Sequence, residues 1–178
     1  DLHSFPTRRS SDLWIMPGQV MSLDVSEDGT EILAGSSASK ALLFEVSGTA
    51  LRISREFPMK SGVHAVRHLG GQVALGGSQG EVVVANRTGE VTELCPLRSV
   101  VTSISRGATG ILTGTTEGTL ALCPPLPTLL RTNGVKIHDI RRMGGKTIIT
   151  TGAGPRVLDT TTPESRSEEH TSELQSPG

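Results

Sequence analysis

The sequence predicts an all-β chain assembled from four similar units, and three observations carry that prediction. Two landmarks recur with a period near 40 residues. Leu23, Val66, Ile104 and Ile140 are spaced by 43, 38 and 36 residues, and Gly35, Gly77, Gly114 and Gly152 by 42, 37 and 38. A sustained period of that length marks a repeat architecture. Within each unit, short apolar runs alternate with polar residues at period two and end in glycine-bearing turns. No segment keeps a helical apolar period over three turns.

The elements follow in order. Val20, Ser22 and Asp24 alternate with Met21, Leu23 and Val25, as a pleated strand requires. "VHAVRH" from Val63, "VTSISR" from Val101 and "IHDIRR" from Ile137 hold the same place in the later units. Asp28-Gly29, Gly70-Gly71 and Gly144-Gly145 supply the tight turn that follows. A second strand ends in small residues: "EILAGS", "QVALGGS", "GILTGT" and "TIITTG". The third reads "ALLFEV", "EVVVAN", "TLALCP" and "RVLDT", and a weaker fourth fills the gap before the next unit, as in "EVTELCPL".

Sheets of this size, apolar on both faces, are unstable singly; stacking them face to face around an axis buries those faces. That is the logic of a β-propeller. The expectation is therefore a partial propeller of about four four-stranded blades over residues 14–165, with repeats at about 14–46, 47–86, 87–124 and 125–165. A β-sandwich is the less favoured arrangement.

The period and the turn placement resemble the WD40-repeat family. "LTGTTEGTLAL" is similar to that family's Ser-Gly-Ser-x-Asp-Gly-x-Ile stretch, with Glu117 at the aspartate position. "DVSEDGTEILAG" resembles the segment between its first two strands. Phe44-Glu45 and Leu158-Asp159 stand where the family shows Trp-Asp. The likeness spans nearly all of 14–165 but is degenerate. No unit has Trp-Asp or the Gly-His step, and the aspartate that helps pin a blade is replaced or deleted throughout. The resemblance implies a non-catalytic scaffold that presents loops to other proteins.

Both ends look foreign to this pattern. "HSFPTRRSSDL" and "RSEEHTSELQS" resemble reading frames of sequencing-library adapters, so residues 1–13 and 166–178 are expected to be disordered additions. The part between is then expected to be a fragment of a larger propeller, with Trp14-Ile15 the tail of a preceding blade and Ser165 just past a third strand.

Composition narrows the partners. The two ends hold three of the 17 basic and five of the 18 acidic residues, so the middle is within one charge of neutral. That balance gives no electrostatic case for nucleic acid, and no apolar run is long enough for a membrane-spanning helix. Cys95 and Cys123 are too few for a disulfide scaffold and are expected to be buried free thiols in an intracellular protein, cytoplasmic or nuclear. Asn86-Arg87-Thr88 fits the glycosylation acceptor pattern, a triplet common by chance.

Motifs with chemistry are few. Gly144-Gly145-Lys146-Thr147 ends like a phosphate-binding loop, but Ile140 stands where the first glycine belongs and a strand follows instead of a helix. "GGSQG" and "TTGAGP" join strand to strand, which is turn chemistry. His64 and His138 occupy equivalent first-strand places, with no third ligand repeating beside them. No metal, cofactor or catalytic set is expected. Arg67, His68, Arg106, Arg141 and Arg142 cluster at the ends of first strands, and repetition gathers them on one rim near the axis. They are the candidate site, for an acidic segment of a partner protein; the bland alternative is a solvated rim whose charges meet nearby carboxylates. The competing class is an enzyme on a propeller, a hydrolase or quinone-dependent dehydrogenase with its site mostly elsewhere.

Overall fold

Four antiparallel meanders of one design make up the described residues. The structure, a computed structural model, describes residues 15–107, 109–123, 128–132, 134–143 and 146–158. Trp14, Gly144, Gly145, Asp159, Ser165 and both adapter-like ends lie outside the described residues. The first sheet is β1 (Val20–Val25), β2 (Glu31–Ser36), β3 (Lys40–Ser47) and β4 (Ala50–Pro58). The second is β5 (Val63–His68), β6 (Gln72–Gly77), β7 (Glu81–Asn86) and β8 (Val91–Pro96). The third is β9 (Val101–Arg106), β10 (Ile111–Thr115), β11 (Thr119–Cys123) and β12 (Thr128–Thr132), and the fourth holds β13 (Ile137–Met143), β14 (Lys146–Thr151) and β15 (Gly154–Leu158). Each sheet's spatial order is its sequence order. None of the described elements is a helix, so none is long and apolar enough to cross a membrane.

Sheet boundaries differ from the repeat boundaries drawn on the sequence. β4 hydrogen-bonds to β3 and β8 to β7, so each fourth strand closes the sheet before it rather than opening the next. Pairing also corrects the glycine landmark. Gly35 pairs with Ser22, Gly76 with Ala65 and Gly114 with Ser103, while the fourth sheet pairs Thr150 with Asp139. The equivalent set is therefore Gly35, Gly76, Gly114 and Thr150, one residue from the sequence alignment in the second unit and two in the fourth. The other landmark keeps its register: Leu23, Val66, Ile104 and Ile140 pair with Ala34, Leu75, Thr113 and Ile149.

A bulge recurs that the sequence hides. In all four sheets the pairing of first and second strands skips one residue: Met21, His64, Thr102 or His138. In the three four-stranded sheets a second irregularity skips Ser54, Leu94 or Leu130 of the fourth strand. An extra residue bends its strand and raises local twist, so the same curvature is built into every unit.

The sheets pack face to face in chain order. Leu33, Leu43 and Phe57 of the first meet Val63, Val66 and Leu75 of the second. Ala74, Val82 and Cys95 of the second meet Val101, Ile104 and Cys123 of the third. Leu112 and Leu120 of the third meet Ile137 and Ile140 of the fourth. The glycines make this approach possible. A Cβ on Gly35, Gly76 or Gly114 would stand 2.9, 2.4 or 2.5 Å from Val63, Val101 or Ile137, the first residue of the next sheet. Each of those residues is a knob seated over bare backbone.

Candidate functional site

The rim is built by the last two residues of β1, β5 and β9 and by the two that precede Met143 in β13. Pairing places Asp24, Arg67, Ser105 and Arg141 in one equivalent column, and Val25, His68, Arg106 and Arg142 in the next. Successive residues of a strand point to opposite faces. Asp24 thus faces forward onto the second sheet, while His68 faces back onto the first.

The two meet. Asp24 Oδ2 accepts the His68 backbone N–H at 2.7 Å and lies 3.3 Å from His68 Nδ1. Arg67 Nη1 donates to Asp24 Oδ1 at 3.0 Å, and its Nε donates to the Ile104 carbonyl at 3.2 Å. One arginine therefore links three consecutive sheets. Burial pushes the Asp24 carboxyl up, but hydrogen bonds from the His68 ring and N–H, with the charge and hydrogen bond of Arg67, outweigh it and hold it below its ordinary value. On its other side the His68 ring faces Glu31, with Nε2 3.9 Å from Oε2, and Glu31 also pairs with Arg87 at 3.4 Å. His68 Nε2 is buried without a hydrogen-bond partner among the described residues.

These groups line a cleft of about 670 Å³ at the hairpin end of the first two sheets, with Glu27, Asp28 and Arg106 also on its walls. The cleft carries both signs of charge, so the expected rim of positive charge is interrupted by carboxylates. Asp28 serves the turn: hydrogen bonds from the Ser26 hydroxyl and from the Thr30 N–H and hydroxyl lower its carboxyl to about 2. Farther round, Arg141 Nε donates to Asp139 Oδ2 at 2.7 Å. That hydrogen bond and charge raise the Arg141 guanidinium above its ordinary value, against a small burial cost, and Asp24 adds to the effect across the molecule. Arg106 and Arg142 are exposed and form no ion pair among the described residues.

Of the five residues predicted, the structure brings Arg67, His68 and Arg106 to one cleft and leaves Arg141 and Arg142 on the fourth sheet's rim. Sequence reasoning missed Asp24 and Glu31 as their counter-charges. A signal existed for the Asp24–His68 meeting alone: aligning the units puts Asp24 in the forward-facing Arg67 column, opposite the next sheet's backward-facing His68. His64 and His138 both sit at the bulge of their first strands, half-buried and exposed respectively. Among the described residues no group of three His, Cys, Asp or Glu could hold a metal ion. Lys146 and Thr147 open β14, a strand with no helix dipole to offer a phosphate.

The cysteines are not free thiols. Cys95 and Cys123 form a disulfide between the second and third sheets, with both residues fully buried and Cα atoms 5.9 Å apart. Composition could not show this, because it counts cysteines without saying which face of which sheet each occupies. The intracellular location expected from the sequence rests partly on free thiols, and the disulfide removes that ground.

No protein-family model matches the chain, and no curated protein matches it. Solved structures do. The computationally designed Ika4 protein superposes with a TM-score of 0.68 at 17% identity, over 82% of this chain and 94% of that one. The computationally designed Ika8 protein gives 0.63 at 16% identity, over 78% of this chain, which spans 45% of that chain's length. At such identities the likeness concerns the fold alone.

Proposed function

We propose that the chain is a set of degenerate WD40-like β-propeller blades, part of a larger propeller, whose rim serves as a non-catalytic docking surface for other proteins. Four sheets of one register, curved by the same bulge and packed in chain order with first strands side by side, support the propeller reading. The docking role rests on one observation: the rim holds two kinds of arginine. Arg67 and Arg141 are held by Asp24 and Asp139. Arg106 and Arg142, at equivalent places one residue on, are exposed with no carboxylate partner among the described residues, and they are the pair available to an acidic segment. Nothing at His68 favours the competing enzyme reading, since its ring lies between the Asp24 and Glu31 carboxylates rather than poised on a hydroxyl or thiol.

The test is fluorescence anisotropy with a glutamate-rich peptide. Arg106→Glu with Arg142→Glu is expected to weaken binding at least about tenfold, given that charge reversal both removes an attraction and adds a repulsion. Arg141→Ala is expected to leave it nearly unchanged. Equal loss in both variants, or in neither, refutes the assignment.

A further inference from the structure

Asn86-Arg87-Thr88 takes on a different weight once the fold is known. The triplet runs from Asn86, the half-buried last residue of β7, into the turn before β8, with Arg87 and Thr88 open to solvent. Asn86 accepts the Glu90 backbone N–H, and Gly89, at φ +91°, donates to the Asn86 carbonyl to close the turn. Asn86 Oδ1 also accepts the Thr88 hydroxyl at 2.6 Å and the Thr88 N–H at 3.0 Å. Those last two bonds involve only the three residues of the motif, so a chain still unfolded can form them. Of the two hydrogens on Asn86 Nδ2, one is occupied by Glu90 Oε2 at 3.0 Å, which leaves the other to be replaced.

The second observation lies elsewhere in the molecule. The disulfide between Cys95 and Cys123 is buried in the apolar layer between two sheets. Disulfides of that structural kind form and persist where the surroundings are oxidising, and are rare where glutathione and thioredoxin keep thiols reduced. The compartment that joins the two sulfurs is the one in which Asn-x-Thr turns are modified. Neither feature depends on the other, and both point the same way.

We propose that Asn86 is an N-linked glycan acceptor and that the chain matures in an oxidising, secretory environment. In the modification Asn86 Nδ2 gives up one proton and bonds to the anomeric carbon of an oligosaccharide, and the lipid pyrophosphate that carried the sugar leaves. The glycan is bulky and hydrated. It would stand on the wall of the cleft beside Arg87, which pairs with Glu31. This inference does not rest on the partner reading, whose peptide assay uses unglycosylated protein.

The experiment expresses the full chain behind a secretory leader in a eukaryotic host and measures its intact mass. The expected result is an added mass that an N-glycan-releasing amidase removes. It should be absent from Asn86→Gln and Thr88→Ala and kept by Thr88→Ser, which preserves the hydroxyl. The same sample, denatured without reductant and treated with iodoacetamide, is expected to leave both cysteines unalkylated. A secreted, folded chain with Asn86 unmodified, or with Cys95 and Cys123 alkylated before reduction, overturns the proposal.

Discussion

The interface between the first and second sheets and that between the second and third share one geometry but differ in chemistry. Pairing registers put Phe57 and Cys95 at the same place on their sheets' forward faces, and Ala85 and Cys123 at the same place on the next sheets' backward faces. In the first interface that place holds Phe57 and Ala85 in one apolar cluster; in the second it holds a covalent bond. The rim differs too. Asp24, His68 and Arg67 join the first pair of sheets by charge and leave a cleft, whereas the matching column of the next interface sets Arg67 beside the strand that ends in Arg106. A repeated backbone thus fixes where side chains meet without fixing what meets there.

Three variants probe the two interfaces. The largest effect is expected from Phe57→Ala. This ring is 2% exposed, and its loss should cost about 3–5 kcal/mol, read from urea unfolding as a lower midpoint with an unchanged slope. A cost under about 1 kcal/mol would mean that the first interface is not held by this ring.

Next comes Cys95→Ala with Cys123→Ala. The bridge closes a separation of 28 residues, which the chain-entropy model values at about 3–4 kcal/mol. Unfolding the unmutated chain with and without reductant should show a similar gap, and that gap should vanish in the double variant. A gap that survives there would place the effect elsewhere.

The smallest effect, about 1–3 kcal/mol, is expected from Asp24→Asn, which weakens the acceptor for Arg67 and for two His68 donors. It carries a pH signature. A carboxyl held below its ordinary value stabilises the fold at pH above its unfolded value, about 3.9, and that contribution fades as pH falls through the lower folded value. The stability difference between the unmutated chain and the Asp24→Asn variant should therefore be full at about pH 7 and shrink below about pH 4. A difference that stays constant into acid would show that Asp24 acts by packing.

The ends of the stack show how place decides exposure. Leu23, Val66, Ile104 and Ile140 hold one equivalent position, yet Leu23 is 63% exposed and the others at most 6%. Each of the three buried residues faces back onto a preceding sheet, and among the described residues Leu23 has none. Thr150 replaces the socket glycine in the fourth sheet, whose forward face likewise has no following sheet among the described residues.

Much of this could be read in advance. Apolar runs and period-two alternation between turns placed the first three strands of each unit to within a residue or two, since burying a pleated ribbon forces that pattern. Gly29, Gly70 and Gly71 mark their turns because positive φ is nearly free only without a Cβ. The cluster of basic residues at first-strand ends was also legible, because the repeat puts Arg67 and Arg141 in one column and His68, Arg106 and Arg142 in the next. Their counter-charges were not: Asp24 lies 43 residues from Arg67 in sequence and 3.0 Å from it in space.

By itself the sequence determined the all-β class, the four units, their turns and the residues available to each face, because local sterics and side-chain alternation act over a few neighbours. Only the tertiary structure decided that Cys95 meets Cys123, that Asp24 neutralises Arg67 while Arg106 has no carboxylate beside it among the described residues, and that Gly76 rather than Gly77 seats the next sheet. The first-strand bulges at Met21 and His64 precede Asp24 and Arg67 and offset Gly76 from Gly77, and a fourth-strand irregularity at Leu94 adjoins Cys95. A bulge shifts which side chain faces which sheet, and it becomes visible only when one strand is paired with the next.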